Sequence, residues 1–566
     1  MRLLQEWDNF IGQQDPAQFG NSFAVERGRG GIPPDNSLAV SSSKIIAMTN
    51  SVISLSEKDT LQEYFRMSLT EFYGLTLEDP SPLDPWVMYE EFSKRFFVLS
   101  IVSDPSSLMR RFVLAVSKDS SPKSINDFYQ YTWVSPRMAF ASLDYPKMAI
   151  DNEAVYITSQ EFKMDTFNVE FPVVVFKKQS LIDGTSPYNM TPIFLDYIIG
   201  EFAFGNVANS NFVFPLQPHK SSCGVEKVLL VANHYEEEGS PLITGNKLRI
   251  YNVKNVLTSP TLETFDVNVP SYSFDTLNST IPQPPPTSNP DNQPIFGITT
   301  IQAINTGLIR DKSLWTMQCV MSEDGEGRKL ARWYEIDISN YLSNVATLKQ
   351  SGTIDPGNRV QTGSMPSIAV DKCGNAAFNL NLIGETQYPA IGYTVRLKND
   401  PPGTVRMPIQ RAADPNLYYQ QMVSETDIDD NRYGDYTRIV VDSSDQKTFH
   451  LFGQRPYPAD PSFEQLTNGF KVFNFGVQWT TYIGVFQAKK YGKGINAPQK
   501  TVPTAAPVSI STRSVVKSAD QNEKLTEFRL KRKEKYVKKI NKIQDETLKK
   551  KLLDKLDKIY KDKFNL

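Results

Sequence analysis

Apolar residues in this chain come in short runs separated by polar turns, and one arrangement of the two recurs. Five segments align without gaps: PDNSLAV from Pro34, DPWVMYE from Asp84, DYPKMAI from Asp144, SMPSIAV from Ser364 and DYTRIVV from Asp435. Each opens on turn-forming residues and enters a short strand-like run. A second apolar run follows each, at 45–48, 96–99, 155–157, 376–378 and 448–452. The polar stretches between the runs (SSSK, EFSKR, DNE, DKCGN and DSSDQK) have hairpin length, so every unit predicts a β-hairpin.

The visible units recur at intervals of about 49 to 71 residues, and the long gap between Asp144 and Ser364 has room for two more. EKVLLVANHY from Glu226 and DKSLWTMQCV from Asp311 are the candidates. Seven units follow, with six and eight the neighbouring counts. Hairpins repeating at this spacing, with almost no helical periodicity before residue 500, predict an all-β fold: a β-propeller of about seven blades. A pair of β-sandwiches is the rival, but sandwiches do not require one hairpin opening to recur at blade-like intervals.

Two stretches break the pattern. STIPQPPPTSNPDNQP from Ser279 is too rich in proline for a central strand and reads as an exposed loop between blades. Residues 491–520, rich in Pro, Ser, Thr and Ala, read as a flexible linker. Beyond it, Leu525, Phe528, Val537, Ile540, Ile543, Leu552, Leu556, Ile559 and Tyr560 recur at helical spacing among lysines. The expected organisation is a lead-in at 1–29, a propeller at 30–490, the linker, and a basic amphipathic helical tail at 521–566.

Charge separates tail from body. From Ala519 onward there are 16 Lys and Arg against 9 Asp and Glu, so the net charge of −2 conceals an acidic body and a basic end. The apolar stripe points the tail toward a protein partner, because a purely electrostatic arm for nucleic acid or an anionic membrane needs no Val, Ile or Leu at helical spacing. Three cysteines without a CxxC pair give neither a disulfide framework nor a thiolate zinc site. The first residues, MRLLQEWDNFIGQQDP, lack the apolar run of a signal peptide, and no stretch approaches the roughly 20 apolar residues of a membrane span.

GGIPPDNSLAV, DPWVMYEEFSKRFFV, MPSIAVDKCGNAAF, IGYTVRLKNDPPGT and RYGDYTRIVVDSSDQKTF resemble the successive blade motifs of a sialidase-like β-propeller family of secreted and surface proteins. The resemblance covers roughly residues 30–452, and Tyr433 stands where the family usually has Trp. It implies the fold more than an activity, since propellers host unrelated functions.

A sialidase needs three arginines on a carboxylate, a Tyr–Glu nucleophile pair and an acidic Asp. Arg95, Arg396, Arg432 and Arg438 occur singly near blade openings and assemble no triad in the sequence. The candidate ligand residues are Arg432, Tyr433, Asp435 and Trp86, with Trp133 and Trp333 as further rings for a glycan platform; the alternative for all the rings is blade packing. Asp427, Asp429, Asp430 and Asp435 form the densest acidic cluster and make a candidate calcium loop, although Gly434 falls late for one and no bidentate Glu follows. The alternative is a solvated turn in which Arg432 pairs with a carboxylate. His219, His234 and His450 read as single histidines rather than a metal triad, and no phosphate-binding glycine loop precedes a helix. The expectation is a binding or structural propeller at a surface or in a large assembly such as a virion, anchored by its tail. The alternative is a sialidase-like carbohydrate-active enzyme or glycan binder using the axial face.

Overall fold

The computed structural model describes most residues between 35 and 488, with the main omissions at 196–216, 285–294 and 414–432, together with scattered positions between 534 and 557. The lead-in at 1–29 and the linker at 491–520 lie outside the described residues.

Seven antiparallel sheets follow one another along the chain, at 37–68, 83–134, 141–195, 217–275, 304–354, 367–413 and 438–487. Each is a meander of four strands paired in chain order in the first six, with a two-residue fifth strand, Val169–Glu170 and Val360–Gln361, added to the third and the sixth; three are described in the seventh. The first strands stand side by side around one axis, each touching the next from Ser37–Val40 through to Arg438–Val441, and the last touches the first again. The fourth and fifth pair outright, in parallel, through Lys220 with Leu308 and Ser221 with Ile309. This is a closed seven-bladed β-propeller.

The larger hydrophobic clusters confirm the radial arrangement, because each lies between two neighbouring blades. Phe72, Val98 and Phe128 pack at the first junction; Phe112, Val155 and Phe176 at the second. Leu38, Val52 and Phe452 fill the junction between the last blade and the first. Interior strands are therefore buried on both faces, so SLWTMQCVM and AAFNLNLIG are buried nearly throughout, Gln318, Asn379 and Asn381 included. Burying each large side chain stabilises by roughly 1.5–3 kcal/mol, and a blade removed from the ring would lose such burial at two junctions.

The polar turns follow one local rule. A residue at the end of the first strand accepts backbone N–H groups two to four positions on: Ser41 from Ser43 and Lys44, Glu90 from Phe92 and Ser93, Asp151 from Glu153 and Ala154, Asp371 from Cys373 and Asn375. Such Asx-type closures set the hairpin without needing glycine at every turn. Several of these turns also carry an acid that meets a lysine of the following blade: Glu90 faces Lys178 at 3.6 Å, and Glu153 faces Lys227 at 2.8 Å.

Two expectations change. The units placed at 226–235 and 311–320 are the second strands of blades 4 and 5, Leu229–His234 and Ser313–Met321, because the first strands there, QPHKS and INTGLIR, lack the shared opening. The proline-rich insertion is also not wholly an exposed loop. Thr280–Pro282 pairs with Ile295–Gly297, and Ile281 is buried with Cys319, Met365, Ile383 and Tyr433. No helix among the described residues is long and apolar enough to cross a membrane.

Candidate functional site

Because all first strands run in parallel about the axis, the residues that open them meet at one face, the mouth of the propeller. Asp35, Asp84, Asp144 and Asp435 gather there. Asp35 accepts the Asp435 backbone N–H at 2.5 Å with one oxygen and the Asn50 amide at 2.5 Å with the other. Asn50 in turn accepts the Asp84 N–H at 2.6 Å, and Asp84 accepts the Tyr145 N–H at 2.8 Å. Blades 7, 1, 2 and 3 are thus laced together by side-chain to backbone bonds.

Asp84 also shares a hydrogen bond with Asp144. Burial, and then the charges of Asp144, Asp35 and Asp435, push the Asp84 carboxyl well above the usual carboxylate range.

Beneath the acids lies a box of rings. The Lys147 ammonium stands 3.3 Å from the Tyr436 ring centroid, 3.7 Å from Tyr145 and 4.5 Å from Trp86. Burial lowers Lys147 to about 7, against the opposing pull of Asp84, Asp35 and Asp435. Its Nζ and the hydroxyls of Tyr145 and Tyr436 have no hydrogen-bond partner among the described residues. Burial, followed by the surrounding acids, raises both tyrosines well above their ordinary value.

Below the box runs an axial channel of about 80 Å³, lined from every blade by Leu38, Trp86, Met148, Pro218, Leu308, Ile368 and Arg438 among others. At its far end Arg310 donates to Gln446 at 2.7 Å.

Of the residues singled out in the sequence, Trp86 and Asp435 come together at this axis. Trp86 is 3% exposed, and its indole N–H donates to the Met148 carbonyl at 3.1 Å. Tyr433 is buried and donates its hydroxyl to the Gln454 carbonyl at 2.8 Å. Trp133 stacks on Phe112, and Trp333 lies between Trp315 and Phe378, so both rings pack blades. Arg432, Asp427, Asp429 and Asp430 lie outside the described residues. Among the described residues no three His, Cys, Asp or Glu side chains converge as a metal-ligand set. The other arginines stay apart: Arg95 and Arg396 cap strand ends in blades 2 and 6, bonding to Ser93 and Gln350, while Arg438 stands at the axis.

Lys147, Tyr145, Tyr436, Asp84 and Asp144 were not identified by motif. The signal was present in the gapless alignment itself, which places Asp84, Asp144 and Asp435 at its first position and Lys147 and Arg438 at its fourth.

No protein-family model matches the chain, and no curated protein matches it. Among solved structures it is similar to an apocarotenoid oxygenase mutant of Synechocystis, at 10% identity over 64% of this chain and 69% of that one, TM-score 0.35. It is also similar to an endo-arabinase from Bacteroides thetaiotaomicron, at 10% identity over 56% and 95%, TM-score 0.29. A third is an exo-β-1,3-galactanase from Phanerochaete chrysosporium, at 10% identity over 65% and 77%, TM-score 0.28. Likeness this slight adds nothing to the sheet topology, and the activities in those names stay with those proteins.

Proposed function

We propose that this chain is a non-catalytic binding or structural propeller, displayed on a surface or in a large assembly such as a virion and anchored through its C-terminal segment. The observation that carries this reading is the use of the mouth carboxylates: Asp35 and Asp84 accept backbone N–H groups of neighbouring blades and hold the ring closed. Their role is that of a seam. The kinship of the blade openings with sialidase-like propellers belongs to this reading as the proposed origin of the scaffold.

The alternative, a carbohydrate-active enzyme or glycan binder at the axial face, draws on the same acids. Glycosidase carboxyls stand about 5–9.5 Å apart to straddle a bond or a water, whereas Asp84 and Asp144 touch. The channel of about 80 Å³ is also well below the roughly 300–1,000 Å³ of common ligand pockets.

The tail supplies the anchor in this reading. The described positions Glu534, Val537, Lys549, Lys550, Leu553, Asp554 and Asp557 are helical, and Asn541 donates its N–H to the Val537 carbonyl at 2.9 Å. An isolated amphipathic helix is marginal in water, so a partner for its stripe is expected. The test compares full-length chain with residues 1–518 by light scattering and by pull-down from the native source at low and high salt. Loss of assembly on truncation supports the anchor. Unchanged mass and partners refute it, and capture that vanishes at high salt favours nucleic acid or an anionic membrane instead.

A further inference from the structure

Arg438 is set apart from the acids above it. Its guanidinium lies on the Trp86 ring, with Cζ 4.3 Å from the centroid, and its Nε–H has no hydrogen-bond partner among the described residues. No ion pair there reaches it either. Burial displaces it downward, to about 10. The side chain is walled by protein yet lines the axial channel.

A cation in such a place is costly unless something accepts its hydrogen bonds. One wall of the channel is formed by Leu38, Val40, Val87, Ile368 and Val370, while Glu91, Arg310 and Gln446 also line it. An occupant that presents an acceptor to Arg438 and hydrocarbon to this wall matches both. The guanidinium fork fits a carboxylate better than a spherical anion, because two parallel N–H groups meet two oxygens. Size sets the other limit: a 150 Å³ cavity holds benzene, so about 80 Å³ suits a chain of only a few carbons.

We propose that the axial channel binds a short-chain monocarboxylate, with its carboxylate on the Arg438 guanidinium and its alkyl tail along Val87, Ile368 and Val370. The site is separate from the tail-anchored scaffold reading and stands or falls without it.

Isothermal titration of the full-length protein with acetate, propionate, butyrate and chloride at constant ionic strength tests it. Saturable binding at one site is expected, tightening about fourfold for each added methylene, so that butyrate binds roughly fifteenfold tighter than acetate. Arg438→Gln is expected to abolish binding. Ile368→Phe, which narrows the channel but keeps the guanidinium, is expected to weaken butyrate more than acetate. Equal binding of chloride and butyrate, no saturable binding of any carboxylate, or unchanged butyrate binding by Ile368→Phe would each overturn the assignment.

Discussion

Lys58 of blade 1 grips Asp442 of blade 7, with its Nζ 3.2 Å and 3.0 Å from the two carboxylate oxygens. Ser444 donates to the same carboxylate at 2.6 Å, and His450 Nε2 lies 3.2 Å from it. The pair joins the end of the chain's ring to its beginning, the junction that in any propeller has no covalent continuity.

Removing one partner of this pair strands the other in a buried site. Asp442→Ala is therefore expected to destabilise the ring by about 3–5 kcal/mol, read as a fall of several degrees in calorimetric melting temperature. Burial pushes the Asp442 carboxyl up, but His450, Ser444 and Lys58 outweigh it and hold the group well below the usual carboxylate range. A depressed folded value means that this stability is present above about pH 4 and is lost as pH falls toward the folded value. The variant should accordingly show a shallower acid limb. A wild-type acid limb in Asp442→Ala would remove Asp442 from the account.

Lys147 contributes with the same sign, at higher pH. Its folded value of about 7 lies below the ordinary lysine value of about 10.4, so the unfolded chain binds the extra proton between them and stability rises with pH through that window. Asp84, displaced upward, gives stability that is lost as pH rises from about 4 through its folded value. Lys147→Met keeps a long apolar side chain among the three rings. Its melting temperature is expected to exceed that of the wild type at pH 6, with the gap closing by about pH 10. Parallel profiles for the two proteins would contradict the burial of an unpaired ammonium.

Gly434 has φ +143°, and a Cβ there would fall 2.7 Å from the Gln454 amide nitrogen and 3.2 Å from the Met365 sulfur. Gly434→Ala should cost about 1–3 kcal/mol, read from the denaturant midpoint. Gly325, at φ +82° with nothing within 4 Å, provides the comparison that isolates conformation from crowding. Equal losses at the two sites would show that the close packing beside Gly434 carries no weight.

Much of the fold could be read before the structure because the propeller repeats one local solution. Pro34, Asp84, Asp144, Ser364 and Asp435 open equivalent strands, and the turns after them close on an Asp, a Glu or a Ser. Blades 4 and 5 lacked that opening. Their first strands pair with each other in parallel, through Lys220 and Leu308, so backbone bonding there replaces side-chain lacing. The site was less legible. Trp86 and Asp435 were found individually, but the box around Lys147 draws its rings from three blades, and only the ring geometry brings Tyr145 next to Tyr436, 5.5 Å apart. Local patterns describe turns well and convergence across hundreds of residues poorly.

The central claim is that the acids at the mouth hold blades together and do not perform chemistry. Thermal unfolding and hydrolysis of a panel of fluorogenic glycosides, measured side by side on wild type and Asp84→Ala, address it most directly. The account predicts that the wild type cleaves none of the panel, and that Asp84→Ala melts several degrees lower because the Tyr145 N–H loses its acceptor. Cleavage by the wild type that disappears in Asp84→Ala at an unchanged melting temperature would contradict it.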